Sequence, residues 1–127
     1  MKKILVIDDE IKIRYIYTRL LVQEGYIVRM AQDAREATNV LIREDIDLIL
    51  LDLKMPEVSG KTMFEIIQEY DKKINVVVSS VYPVDEQKRR VPDAIDYFDK
   101  TKGVGVLLEK VKHVFQGGSE RGEEVGA

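Results

Sequence analysis

Leu48-Ile49-Leu50-Leu51-Asp52 and Ile4-Leu5-Val6-Ile7-Asp8-Asp9-Glu10 follow the same rule: an unbroken apolar run that ends in carboxylates. Such runs, without polar alternation, read as strands buried on both faces, the signature of a parallel sheet covered by helices. An ionised side chain in mid-strand would lose its hydration at high cost, so the acids are predicted at the strand mouths, facing water. In open parallel sheets the carboxyl ends of the strands form the ligand crevice. If the two strands are neighbours, Asp8, Asp9 and Asp52 converge on one small volume, an arrangement that suits a divalent cation.

Working outward, short apolar runs alternate with segments of helical periodicity, the pattern of β/α units around a parallel sheet. The predicted strands are Lys3 to Ile7, Ile27 to Ala31, Asp47 to Leu51, Val76 to Ser79 and Ile95 to Phe98. The first helix carries Ile13, Ile16, Tyr17, Leu20 and Leu21 and closes at Gly25 in a left-handed cap. Asp33 is placed to cap the second helix, with Ala37, Val40 and Leu41 inward. Met55-Pro56 enforces a loop before a third helix from Gly60 to Tyr70, whose inward residues are Met63, Phe64, Ile66 and Ile67. Pro83 and Pro92 bracket a short, charged fourth helix. The fifth runs from Val104 to Phe115, with Leu107, Leu108, Val111 and Phe115 facing the sheet. Right-handed crossovers then give an α/β three-layer sandwich of five strands and five helices. The polar, glycine-rich ending predicts a single domain over residues 1–116, followed by a disordered tail or the start of a linker at 117–127.

Composition narrows the function. The chain has 127 residues, a net charge of −3 with interspersed signs, and no cysteine. That length fits one domain with a core of ordinary size. There is no basic footprint for direct nucleic-acid contact, no polybasic patch or long apolar segment for a membrane, and no thiol chemistry. A cytoplasmic location follows by default.

Two more positions join the acids. Ser80 follows Val76-Val77-Val78, and Lys100 follows the strand that ends at Phe98, so both belong to the same sheet edge. A carboxylate nucleophile, a cation site, a hydroxyl and an ammonium together supply what phosphoryl transfer to a carboxylate needs. Two carboxylates about 5 Å apart at an effective dielectric near 20 repel by roughly 3 kcal/mol, which a cation would relieve. Mg²⁺ suits such a site because it accepts one or two carboxylates, keeps several waters and bridges to phosphate oxygens.

In these residues the chain resembles the receiver domains of two-component response regulators. The resemblance covers Lys2 to Phe115 and rests on Val6-Ile7-Asp8-Asp9-Glu10, on Asp52-Leu53-Lys54-Met55-Pro56 with Gly60 four residues on, on Ser80, and on Tyr97-Phe98-Asp99-Lys100. It implies a flavodoxin-like strand order 2-1-3-4-5. It also implies that Asp52 takes a phosphoryl group from a phosphohistidine on a sensor histidine kinase or a histidine phosphotransfer protein. Asp9 and Asp52 would hold Mg²⁺ directly with the backbone carbonyl of Lys54, while Asp8 would act through metal-bound water. Ser80 and Lys100 would bind phosphoryl oxygens. Tyr97 would be the aromatic switch that turns inward as Ser80 moves, altering the surface of the fourth helix, fifth strand and fifth helix for a downstream protein or a fused output domain. Lys54 and Tyr82 match the positions that tune the lifetime of the phosphoaspartate, and their long side chains imply slow hydrolysis.

The chain departs from that pattern at three places. Thr101 stands where most receivers have a cis proline; a non-proline cis bond costs about 3–4 kcal/mol, so a trans link is predicted. Helix four is short. Glu57 replaces the glycine common after Met-Pro, with no evident consequence.

Plainer readings compete at each position. Asp8 and Asp9 could merely cap the first helix, Ser80 could be an ordinary loop residue with Ser79 its rival, and Tyr97 could be core packing. His113, in the last turn of helix five, suits the helix dipole rather than phosphoryl donation. Lys88-Arg89-Arg90 reads as a solvated helix face or a contact for an acidic partner. The alternative function is a Mg²⁺-dependent phosphatase of the haloacid dehalogenase type, which needs an acid two residues after its nucleophile, where this chain has Lys54. A flavodoxin-like cofactor binder would need a phosphate-cradling loop after the first strand, where Asp8-Asp9-Glu10 would repel phosphate.

Overall fold

The computed structural model describes residues 1–126, and side-chain surroundings through Gly117. Strands and helices alternate as β1 (Lys3–Ile7), α1 (Ile11–Gln23), β2 (Ile27–Ala31), α2 (Ala34–Arg43), β3 (Leu48–Leu51), α3 (Gly60–Tyr70), β4 (Asn75–Ser80), α4 (Val84–Arg90), β5 (Asp96–Asp99) and α5 (Val104–Gly126). All neighbouring strands are parallel, in the order β2-β1-β3-β4-β5 that the resemblance implies.

Strand alternation divides the interior into two cores. Leu5, Ile7, Ile49, Leu51, Val76 and Val78 point to one face, where they meet Ala37 and Leu41 of α2, Met63, Phe64 and Ile67 of α3, and Val91 just after α4. Ile4, Val6, Leu48, Leu50, Val77 and Phe98 point to the other, against Tyr17 and Leu21 of α1 and Leu107, Val111 and Val114 of α5. Burying residues on both faces of β1 and β3 explains why, after the half-buried Lys3 that opens β1, those strands carry no polar residue until their last position has passed. The register pairs Ile7 with Leu51, which sets the next residues, Asp8 and Asp52, side by side. The ladder continues through them: Asp8 N–H donates to Ala31 and Asp52 N–H to Ile7, both at 3.0 Å.

Local signals are fulfilled where a side chain meets a free backbone group. Asp33 accepts from Glu36 N–H at 2.8 Å and Ser59 from Thr62 N–H at 3.1 Å, caps worth about 1 kcal/mol each. Gly25 closes α1 with φ of 93°. Neither Asp8 nor Asp9 is the cap residue of α1: that residue is Glu10, whose own side chain makes no capping bond.

Some boundaries and faces differ from the sequence pattern. Asp47 precedes β3, and its carboxylate accepts from Lys3 N–H at 2.7 Å. β4 extends through Ser80, and β5 is shifted by one residue at each end. Ile16 is 48% exposed instead of inward, as α1 turns Tyr17 and Leu21 to the sheet. The core-facing stripe of α5 ends near Phe115, yet the helix runs to Gly126. Extending a helix carries no nucleation cost, so the backbone can continue past that stripe. Of the predicted tail at 117–127, Ala127 and all side chains past Gly117 lie outside the described residues.

Candidate functional site at the carboxyl edge of the sheet

Asp8, Asp9 and Asp52 each offer a carboxylate oxygen, and these atoms lie within 4.8 Å of one another. The expectation that the acids face water holds for Asp9 alone: Asp8 is 1% exposed and Asp52 3%. Burial is tolerable because polar partners replace the water. The ammonium of Lys100, itself buried, stands 2.6 Å from Asp8 Oδ2 and 3.4 Å from Asp52 Oδ1. Glu10 N–H donates to Asp8 Oδ1 at 2.9 Å, and Lys54 N–H to Asp52 Oδ1 at 3.2 Å. Arg14 reaches the backbone carbonyl of Asp8 at 2.7 Å, tying α1 to the strand mouth.

The electrostatics follow from this crowding. Burial pushes the Asp52 carboxyl up, Lys100 pulls it down, the neighbouring Asp8 charge raises it, and the balance is about 6. Burial alone would lower the Lys100 ammonium. The hydrogen bond to Asp8 and the charges of Asp52 and Asp8 outweigh that and hold it above its usual range. Three carboxylates against one ammonium leave two excess negative charges when all are ionised, and a hard, oxygen-seeking cation fits that deficit.

Ser79 and Ser80 are both buried but alternate across the sheet. Ser79 pairs with the Tyr17 hydroxyl at 3.2 Å, on the side of α1 and α5. Ser80 Oγ accepts from Tyr82 N–H at 3.2 Å, and its carbonyl accepts from Lys100 N–H at 2.8 Å, joining the ends of β4 and β5. Tyr97 is buried in the core against Val91, whose carbonyl accepts its hydroxyl proton.

No peptide bond among the described residues is cis, so the Lys100–Thr101 link is trans. Asp99 makes the turn there, accepting from Thr101 N–H at 2.8 Å and from its hydroxyl at 2.7 Å, and Lys100 still reaches Asp8. Glu57 does have a structural consequence. It adopts φ of 73° within a tight turn closed by Val58 N–H to Pro56 carbonyl at 2.8 Å, a conformation that glycine accepts without strain. Gly60 is required for space: a Cβ there would lie 2.9 Å from Leu53 Cα and 2.3 Å from Leu53 Cδ2, against the residue that follows Asp52.

Sequence reasoning missed two residues of α4. Gln87, wholly buried, points its amide at three carbonyls, those of Tyr82 (2.7 Å), Phe98 (2.9 Å) and, more distantly, Ser80 (3.4 Å). Because all three neighbours are acceptors, the nitrogen must face them. Arg90 lies 4.2 Å over the Tyr82 ring, and the Lys54 ammonium lies 5.0 Å from the same ring. In a helix this charged, a glutamine and an arginine carry no sequence signal that separates them from solvated neighbours; only the strand ends they meet reveal them.

The profile of the family described as the response regulator receiver domain matches residues 4–112, and the chain belongs to that family. It is 27% identical over 113 residues to sporulation initiation phosphotransferase F of Bacillus subtilis, covering 87% of this chain and 91% of that protein. It is 36% identical to response regulator RR06 of Streptococcus pneumoniae, covering 86% of this chain and 51% of that longer protein. Among solved structures, response regulator TrrA of Thermotoga maritima, in complex with Mg²⁺–BeF, is 32% identical with a TM-score of 0.81, covering 90% of this chain and 99% of that one. A CheY-like receiver domain from Methanospirillum hungatei is 26% identical with a TM-score of 0.87, covering 95% of this chain and 98% of that one. The chain is therefore a receiver domain, a signalling switch whose acidic pocket fits Mg²⁺ and phosphoryl acceptance. The phosphatase alternative gains no support. Among the described residues, no helix is long and apolar enough to cross a membrane.

Proposed function

We propose that Asp52 is the phosphoacceptor. The observation that carries this reading is its placement, beside Asp8 and Asp9 and 3.4 Å from the Lys100 ammonium. A carboxylate oxygen of Asp52 attacks the phosphorus of a phosphohistidine on a sensor histidine kinase or phosphotransfer protein. The P–N bond breaks as the P–O bond forms, and the imidazole leaves carrying its proton. With its carboxyl near 6, Asp52 is mostly ionised at neutral pH and so competent as a nucleophile. Asp9, Asp52 and the backbone carbonyl of Lys54 would hold Mg²⁺, with Asp8 supporting the ion less directly, and the ion would neutralise charge on the transferred group. That TrrA, 32% identical, forms a complex with Mg²⁺–BeF supports Mg²⁺ as the ion.

After transfer, Lys100 exchanges its 2.6 Å bond to Asp8 for a phosphoryl oxygen, and Ser80 Oγ turns from Tyr82 N–H to another. Tyr97 and the surface of α4, β5 and α5 follow as a shift between existing arrangements. That surface is read by a downstream protein or by an output domain attached beyond a receiver of residues 1–116, in the cytoplasm. Small phosphodonors also serve, and loss of the phosphoryl group is slow. The protein, incubated with acetyl phosphate and Mg²⁺, is expected to gain one acid-stable, base-labile phosphoryl group by intact mass. Equal labelling of Asp52→Ala would remove the assignment.

A further inference from the structure

We propose that Arg90 of α4 is a positioning residue for hydrolysis of the phosphoryl group: it holds the Tyr82 ring in place, and so lets whatever binds α4 set the lifetime of the signal. This deepens the phosphoacceptor reading of Asp52 and rests on it. Lys54 and Tyr82 each stand two residues beyond a site residue and, before transfer, are tied to it, Lys54 N–H to Asp52 Oδ1 and Tyr82 N–H to Ser80 Oγ. Their side chains meet, ammonium to ring at 5.0 Å, and so join the two loops that flank the acceptor. In this proposal that closure shields the phosphorus from attacking water. In hydrolysis its oxygen bonds to phosphorus, the bond from phosphorus to the Asp52 oxygen breaks, and the products are inorganic phosphate, the free carboxylate and a proton released to solvent.

The closure is fixed from α4. Arg90 lies 4.2 Å over the ring, and its guanidinium is oriented by a two-pronged bond to Glu86, at 3.0 Å from Nε and 2.6 Å from Nη2. Gln87, on the same helix, holds the Tyr82 carbonyl at 2.7 Å. Ring and backbone of Tyr82 are thus both held by α4, while Arg90 and Glu86 remain partly open to solvent, with side chains 48% and 32% exposed. A partner that takes Arg90 for its own carboxylate would release the ring and shorten the signal. A cation held against an aromatic face at an exposed site is worth enough to change a rate about twofold to fivefold.

The test is the half-life of the phosphorylated full chain after acetyl phosphate is removed, in Mg²⁺, followed by intact mass. Arg90→Ala is expected to shorten it about twofold to fivefold, with Asp52 still labelled and urea stability nearly unchanged. Tyr82→Ala should shorten it at least as much, Tyr82→Phe should not, and Tyr82→Ala with Arg90→Ala should match Tyr82→Ala alone. An Arg90→Ala half-life equal to that of the unaltered protein, or effects that multiply in the double variant, would overturn the proposal. A loss of stability without a change in half-life would reduce Arg90 to a structural role and overturn it equally. Failure of the unaltered protein to take up phosphate at all is seen before any variant is compared, and would remove the phosphoacceptor reading with it.

Discussion

The two halves of the site edge are held by different means. On the β1–β3 side, Asp8 and Asp52 are the next residues of two fully buried strands, and backbone bonds carry the ladder through them. On the β4–α4–β5 side the geometry depends on side chains: Gln87 clamps three carbonyls, Tyr97 anchors to Val91, and Arg90 holds Tyr82. A backbone ladder inside an apolar core has no second arrangement of similar energy, whereas polar side-chain bonds can be exchanged for others. The first half is built to hold the chemistry still and the second to respond to it.

The largest expected effect falls on the responsive half. Gln87→Leu strands the carbonyls of Tyr82 and Phe98 without a donor and should cost about 3 kcal/mol in urea unfolding. A cost near zero would mean the clamp is not what holds α4 to β5. On the rigid half, Gly60→Ala drives a methyl group into Leu53 and should cost about 2 kcal/mol, while lowering the rate of labelling by acetyl phosphate because the loop after Asp52 must move.

A third substitution should stabilise. The Asp52 carboxyl is raised to about 6 from 3.8, so the folded state binds that proton more tightly than the unfolded chain. The group contributes no penalty well below pH 4, and an increasing one as pH rises from there through about 6. Asp52→Asn removes it, and Lys100 keeps Asp8 as a partner. Without Mg²⁺ the variant should exceed the unaltered protein by about 2–3 kcal/mol at pH 7 and match it near pH 3. Equal stability at both pH values would show that the pocket is less crowded electrostatically than the geometry states. The smallest effect is at Glu57, where glycine should relieve the left-handed backbone and raise stability by less than about 1 kcal/mol, since added freedom in the unfolded chain offsets part of the gain.

The same contrast explains what the sequence revealed. Asp8, Asp9, Asp52 and Lys100 were legible because each ends or follows an apolar run, and strand ends in a parallel sheet share one rim. Gly60 and Glu57 were visible as pattern positions, but the reasons for them, a close approach to Leu53 and a positive φ, exist only in the folded loop. The burial of Asp8 and Asp52 runs against the sequence pattern because the groups that offset the lost hydration, the Lys100 ammonium and the N–H groups of Glu10 and Lys54, meet the acids only in the fold. Gln87 left no trace in the sequence and Arg90 stood out only as part of a basic run, since seven residues of α4 are too few for a periodic face and both lie among charges. Thr101 in place of proline was legible as a departure, while its remedy, the Asp99 turn, was not.

The claim on which the rest depends is that carboxylates from two strands and a lysine from a third share one cation-ready pocket. Backbone amide shifts followed during a Mg²⁺ titration test it most directly. The structure predicts saturable shifts concentrated at residues 7–10, 51–54 and 99–101, abolished by Asp9→Asn and retained or strengthened in Lys100→Ala. Shifts scattered over the surface, or a response that survives Asp9→Asn unchanged, would contradict it.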